Sequence, residues 1–100
     1  MKNHNPFASQ PIVQRASQIF RVHPRDLTGP YKYGFILPGR YALYAALRNK
    51  GLSYSKVARL MERDHSTIVH GVRLANKRMA EAERYTEIVQ QLAEIPLENN

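Results

Sequence analysis

The chain has 100 residues, 43% of them hydrophobic, which suits one small domain with a single core and excludes a second independent one. Fifteen Lys and Arg against eight Asp and Glu give a net charge of +7. The lack of cysteine excludes a disulfide framework, a cysteine zinc finger and a thiol nucleophile. Between Arg21 and Arg78 there are 12 basic and 3 acidic residues, a surplus of +9, whereas residues 79–100 carry Arg84 and five glutamates. A basic centre of this kind suits a polyanion, because each neutralised phosphate releases condensed counterions.

Residues 1–8 are polar, hold Pro6 and have no period, which predicts a loose N-terminal arm. Ser9 can cap a first helix over 10–21, with Pro11 in its first turn and Ile12, Val13, Ala16, Ile19 and Phe20 at helical spacing. Residues 23–29 allow one or two helical turns, opened by Pro24 and closed by Gly29, with Leu27 as a core plug. Residues 29–39 have Gly and Pro at both ends and predict a connecting loop, a strand over 31–37 being the competing assignment. Residues 40–50 predict an Ala-rich helix ended by Gly51.

Ser53 is placed to cap a shorter helix over 54–62, with Val57, Ala58, Leu60 and Met61 as its apolar set. Asp64, or Ser66 slightly inside, then caps a helix over 64–79. Its stripe of Ile68, Val72, Ala75 and Met79 packs, and Ser66, His70, Arg73 and Lys77 fall on the opposite face. A Glu-rich amphipathic helix over 81–95 follows, with Tyr85, Ile88, Val89, Leu92 and Ile95, and residues 96–100 form a tail. The expected organisation is therefore an arm over 1–8, one domain over 9–95 and the tail.

Two helices joined by about three residues, the second with a polar face, fit a helix-turn-helix whose second helix enters the major groove. A helix N-terminus exposes free N–H groups and partial positive charge. Asp64 only accepts hydrogen bonds, so it would select an amino group of cytosine or adenine, or serve as a plain cap; the two uses are compatible. His65 can donate or accept at a base edge or be a surface histidine. Ser66 and Thr67 can bond phosphate or satisfy the helix start. His70, Arg73 and Lys77 would meet backbone phosphates.

The octamer Arg63-Asp64-His65-Ser66-Thr67-Ile68-Val69-His70 resembles the R-D-H-[ST]-T-V-x-H signature of the C-terminal DNA-binding domain of the bacterial chromosomal replication initiator DnaA. The similarity extends over most of residues 12–79. It implies an all-α helical bundle containing a helix-turn-helix of the Trp-repressor-like kind, with Asp64, His65 and Ser66 on bases. Arg48, Arg63, Thr67, His70, Arg73 and Lys77 would lie on the DNA backbone. Lys32 and Arg40 are the candidates for minor-groove or loop contacts, in a loop that the family fills with arginine. Glu62 stands where the family has two glycines, which predicts a shorter, more helical turn. Ser66 in place of the commoner Thr loses a methyl that would touch thymine.

These features imply a sequence-specific double-stranded DNA-binding protein, cytoplasmic and nucleoid-associated, regulating replication or transcription. It is expected to need no cofactor or metal. Gly34 to Tyr41 has P-loop glycine spacing, but Arg40 and Tyr41 replace the Lys and hydroxyl residue that an ATPase needs. His65 and His70 would sit about 140° apart on a helix, wrong for joint metal ligation, and Ser66 beside His65 makes no catalytic triad because adjacent helical residues diverge. The initial Met and polar arm suggest a stand-alone relative. No apolar run approaches the roughly 18 residues that span a bilayer. The alternative function is self-association through residues 81–95, and a weaker one is RNA binding by Tyr31, Tyr33 and Phe35.

Overall fold

The computed structural model describes residues 5–99. Among these there are six α-helices, two 3₁₀ turns and no strand: α1 Pro11–Phe20, α2 Pro24–Thr28, α3 Leu37–Asn49, α4 Tyr54–Met61, α5 His65–Glu81 and α6 Glu83–Ala93. The all-α expectation holds. Residues 31–37 form no strand and instead contain a 3₁₀ turn over Gly34–Ile36.

Helix α3 is the centre of the domain. Its residues Ala42, Leu43, Tyr44, Ala45, Ala46 and Leu47 are all buried, an unbroken run that a one-sided amphipathic helix does not have. It packs against α1, α4, α5 and α6, which supply Ile12, Val57, Ile68 and Leu92. The helix starts three residues before the sequence suggested, because Pro38 is tolerated in the first turn and Gly39 fits against Leu27 and Phe20.

Helix α5 comes closest to α3 at Gly71. A Cβ built there would stand 2.6 Å from Tyr44 Cδ2 and 3.1 Å from Tyr41 Cδ1. The glycine is the condition for that approach, and it fixes how α5 lies across the core. The buried side of α5 is Ile68, Gly71, Val72 and Ala75, with Met79 and Val69 half-buried, as the helical period predicts.

The loose arm is corrected for its described part. Residues 1–4 lie outside the described residues, but Pro6–Ser9 form a 3₁₀ turn with Phe7 buried. Asn5 Oδ1 accepts from Phe7 N at 3.0 Å, and Asn5 Nδ2 donates to the Leu60 carbonyl at 2.7 Å. A short polar stretch gives no periodic signal, so this 55-residue tie was invisible in sequence. The described part of the tail is tied back at Glu98: Gln10 Nε2 donates to the Glu98 carbonyl at 2.8 Å, and Glu98 N donates to Gln10 Oε1 at 2.9 Å.

Helix α6 buries Tyr85, Ile88, Val89 and Leu92. The Tyr85 hydroxyl donates to the Pro38 carbonyl at 2.6 Å, joining α6 to the first turn of α3. Burial pushes the Tyr85 hydroxyl far above its ordinary pKa, with the Arg78 guanidinium opposing. The apolar face offered for self-association is thus occupied by the domain's own core.

Candidate nucleic-acid interface

Helices α4 and α5 are separated by three residues, Glu62, Arg63 and Asp64. Ser53 caps α4 as expected, its Oγ accepting from Lys56 N at 3.0 Å. The helix ends with Glu62 at φ 55° and ψ 50°, in left-handed conformation, and Arg63 N donates to the Ala58 carbonyl at 2.9 Å. Glycine normally fills this position, since an L-residue there costs roughly 1–2 kcal/mol. The expected more helical turn is therefore corrected: Glu62 takes the backbone path of a glycine instead of extending the helix.

Asp64 is the N-cap of α5 by backbone, its carbonyl accepting from Thr67 N at 3.0 Å and Ile68 N at 3.2 Å, but its carboxylate makes no capping bond. The carboxylate is thus left exposed and without a hydrogen-bond partner at the helix start, favoured there only by the partial positive charge of the helix N-terminus. His65, Ser66 and Thr67 follow on the first turn and are exposed. His70, Arg73 and Lys77 are exposed further along the same helix. Lys77 Nζ has an exposed partner in Glu81 at 3.9 Å, an ion pair of little strength that a phosphate can displace.

His65 is held from below. Its ring meets Tyr54 edge-on at 5.7 Å, and the Arg48 guanidinium covers Tyr54 at 4.1 Å from the ring centre. Arg48 Nη1 also donates to the Leu52 carbonyl at 2.9 Å. The three side chains form one cluster that brings Arg48, from the end of α3, to the start of α5. Tyr54 carries no signal of this role in the sequence. Only the turn around Gly51, at φ 99°, folds α4 back so that Tyr54 lies between them.

A hollow of about 470 Å³ lies on the other side of the helix start, lined by Lys32, Leu37, Arg40, Tyr41, Tyr44, Arg63, Ser66, Thr67 and His70. Arg63 Nη1 donates to the Glu62 carbonyl at 3.2 Å, while Nη2 is buried without a hydrogen-bond partner. Burial raises the pKa of the Tyr44 hydroxyl, opposed by the neighbouring Arg40 and Arg63 charges, so it is protonated at neutral pH. The hollow thus collects donors and cations beside Ser66 and Thr67.

Arg40 must be removed from the contact set. Its side chain is 2% exposed, with Nε and Nη2 donating to the Asp26 carbonyl at 3.1 and 2.9 Å and Nη2 to the Gly29 carbonyl at 2.8 Å. Burial lowers its pKa, yet guanidinium stays charged in proteins. Its fork ties the end of α2 to α3, a structural duty indistinguishable in sequence from that of a loop arginine. Lys32 remains exposed on the wall of the hollow.

No family model matches the chain. It is similar to chromosomal replication initiator protein DnaA 1 of Chlamydia trachomatis, 26% identical over 85 residues, covering 84% of this chain and 19% of that protein. The counterpart in Chlamydia muridarum is 28% identical over 78 residues, covering 77% of this chain and 17% of the relative. The DnaA of Thermomicrobium roseum is 36% identical over 63 residues, 61% of this chain and 14% of its own length. The chain spans less than a fifth of the length of each of these relatives. Most of this chain is therefore related to a short segment of the DnaA replication initiators, in keeping with the resemblance of Arg63 to His70 to the signature of their C-terminal domain.

Proposed function

We propose that the protein binds double-stranded DNA in a sequence-specific way, with α4 and α5 acting as a helix-turn-helix and α5 lying in the major groove. The observation that carries this is the start of α5: an uncapping, outward Asp64 followed by exposed His65, Ser66 and Thr67, with His70, Arg73 and Lys77 along the same exposed side. Asp64, His65 and Ser66 contact base edges, where only groups of fixed hydrogen-bonding sense discriminate. The cluster of Arg48 and Tyr54 holds His65 in place and offers a cation to the adjacent phosphate. Arg63, Thr67, His70, Arg73 and Lys77 contact the backbone, and Lys32 reaches it from the flank.

The relationship to replication initiators supports a regulator of replication or transcription working at DNA sites. It supports no ATPase or other catalytic role for this domain. Self-association through α6 is disfavoured because its apolar residues are buried in the core.

Fluorescence anisotropy with a specific and a random duplex, across salt concentrations, tests the division of labour. His65→Ala or Asp64→Ala should cost about 1–3 kcal/mol on the specific duplex and little on the random one. Arg73→Ala or Lys77→Ala should weaken both and reduce the salt slope by about one. Equal losses on both duplexes for every variant would contradict base reading.

A further inference from the structure

Three aromatic rings stand in the solvent between α2 and α3. Tyr31, Tyr33 and Phe35 are 59%, 53% and 66% exposed, the only large exposed hydrophobics among the described residues. They are also ordered among themselves: Tyr31 and Tyr33 lie 5.9 Å apart at 20°, and Tyr33 and Phe35 5.8 Å apart at 15°, an offset stack of three. Extended backbone at Tyr33 puts 31 and 33 on one side, and the 3₁₀ turn carries Phe35 on to the same stack. Hydrophobic burial gives no reason for such a stack to stand in water.

The loop beneath the rings is held at both ends. Arg40 donates to the Gly29 carbonyl at 2.8 Å before the first ring, and Ile36 is fully buried just after the last. A pinned loop loses little entropy when it binds, which favours contact through flat faces. Lys32, between the first two rings, lines the hollow shared with Ser66, Thr67 and His70, so the ladder flanks the start of α5. No acidic residue occurs between Leu27 and Met61, while Lys32, Arg40, Arg48, Lys50, Lys56 and Arg59 do. A basic stretch without carboxylates that carries stacked rings fits an anionic strand of bases and disfavours a second copy of this basic chain.

We propose that the ladder of Tyr31, Tyr33 and Phe35 stacks the unpaired bases of a DNA strand that continues from the duplex gripped by α5, with Lys32 on its backbone. The protein would then recognise a junction between double- and single-stranded DNA. The location of the junction rests on the duplex-binding function proposed above; the stacking does not. Aromatic platforms take bases without regard to sequence because every base has a flat π-face, and each is worth about 1–3 kcal/mol, or roughly 5- to 150-fold in affinity.

The test uses anisotropy on three probes: a blunt duplex, the same duplex with a six-nucleotide single-stranded DNA extension, and the single strand alone. The full chain should bind the extended duplex at least about fivefold more tightly than the blunt one. Replacing all three rings by leucine should abolish that gain and leave blunt-duplex binding within about twofold. With the specific site in both duplex probes, His65→Ala should weaken both and leave the single strand unaffected. The proposal is overturned if the extension gives no gain, if the gain survives the triple substitution, or if the rings matter equally for the blunt duplex. Tighter binding of an RNA extension than of a DNA one, or loss of a sedimenting dimer in the triple variant, would also overturn it, in favour of RNA or a second copy. Ring-dependent single-strand binding without any duplex binding would retain the stacking surface and reject the duplex function instead.

Discussion

Removing the Arg40 side chain separates structure from DNA contact. In Arg40→Ala the Asp26 and Gly29 carbonyls lose three hydrogen bonds of 2.8–3.1 Å from a charged donor. A bond from a charged group contributes roughly 1.5–3 kcal/mol, but two of the three share one acceptor and both carbonyls belong to half-buried residues that water can reach. The expected loss is therefore about 3 kcal/mol, not the sum of three full bonds. For a domain of this size that corresponds to a fall in melting temperature of roughly 12–24 °C. Arg40→Lys should recover about half of it, since one ammonium cannot bridge both carbonyls as the planar fork does. Thermal unfolding followed by circular dichroism gives the stability, and blunt-duplex affinity is measured at 15 °C, where the variant is folded. Unchanged melting with weakened duplex binding would refute the reasoning and return Arg40 to the DNA surface.

Glu62→Gly should stabilise the protein by about 0.5–1 kcal/mol, the relief of left-handed strain less the greater entropy of glycine in the unfolded chain. Glu62→Ala, which removes the charge but retains the strain, should be near neutral; equal effects of the two in urea unfolding would show that charge decides. Gly71→Ala should destabilise by about 1 kcal/mol, because the helix preference for alanine is outweighed by a clash with the buried Tyr44 ring. A more stable Gly71→Ala protein would show that α5 and α3 can separate freely. Stability should fall with rising pH above about 10, the unfolded tyrosine value, because burial raises the folded-state pKa of both Tyr85 and Tyr44 and unfolding then releases a proton. Melting temperatures from pH 8 to 11 measure this, and Tyr85→Phe should flatten the decline.

The helices were legible because each outer one buries a single stripe, and Ile68, Val72 and Ala75 announce theirs by spacing alone. The first turn of α3 was hidden by Pro38 and Gly39, residues that mark loops locally but are tolerated in helices by position and by close packing. The exposed polar start of α5 was legible as a run of polar residues. Its supports were not: Tyr54 reaches His65 and Arg48 only after the chain turns at Gly51. Arg40 and Lys32 looked alike as basic loop residues, and only burial separates them. Asn5 and Phe7 lacked any periodic context, so the bond of Asn5 to Leu60 and the burial of Phe7 were beyond pattern reasoning.

The most direct measurement is a selection of bound sites from random duplex DNA, performed with the unaltered protein and with Asp64→Ala and His65→Ala. A DNA-reading α5 predicts an enriched short site, with preference relaxed at one or two positions in each variant and retained elsewhere. No enrichment by the unaltered protein, or the same enriched site from all three, would contradict the claim that the start of α5 reads bases.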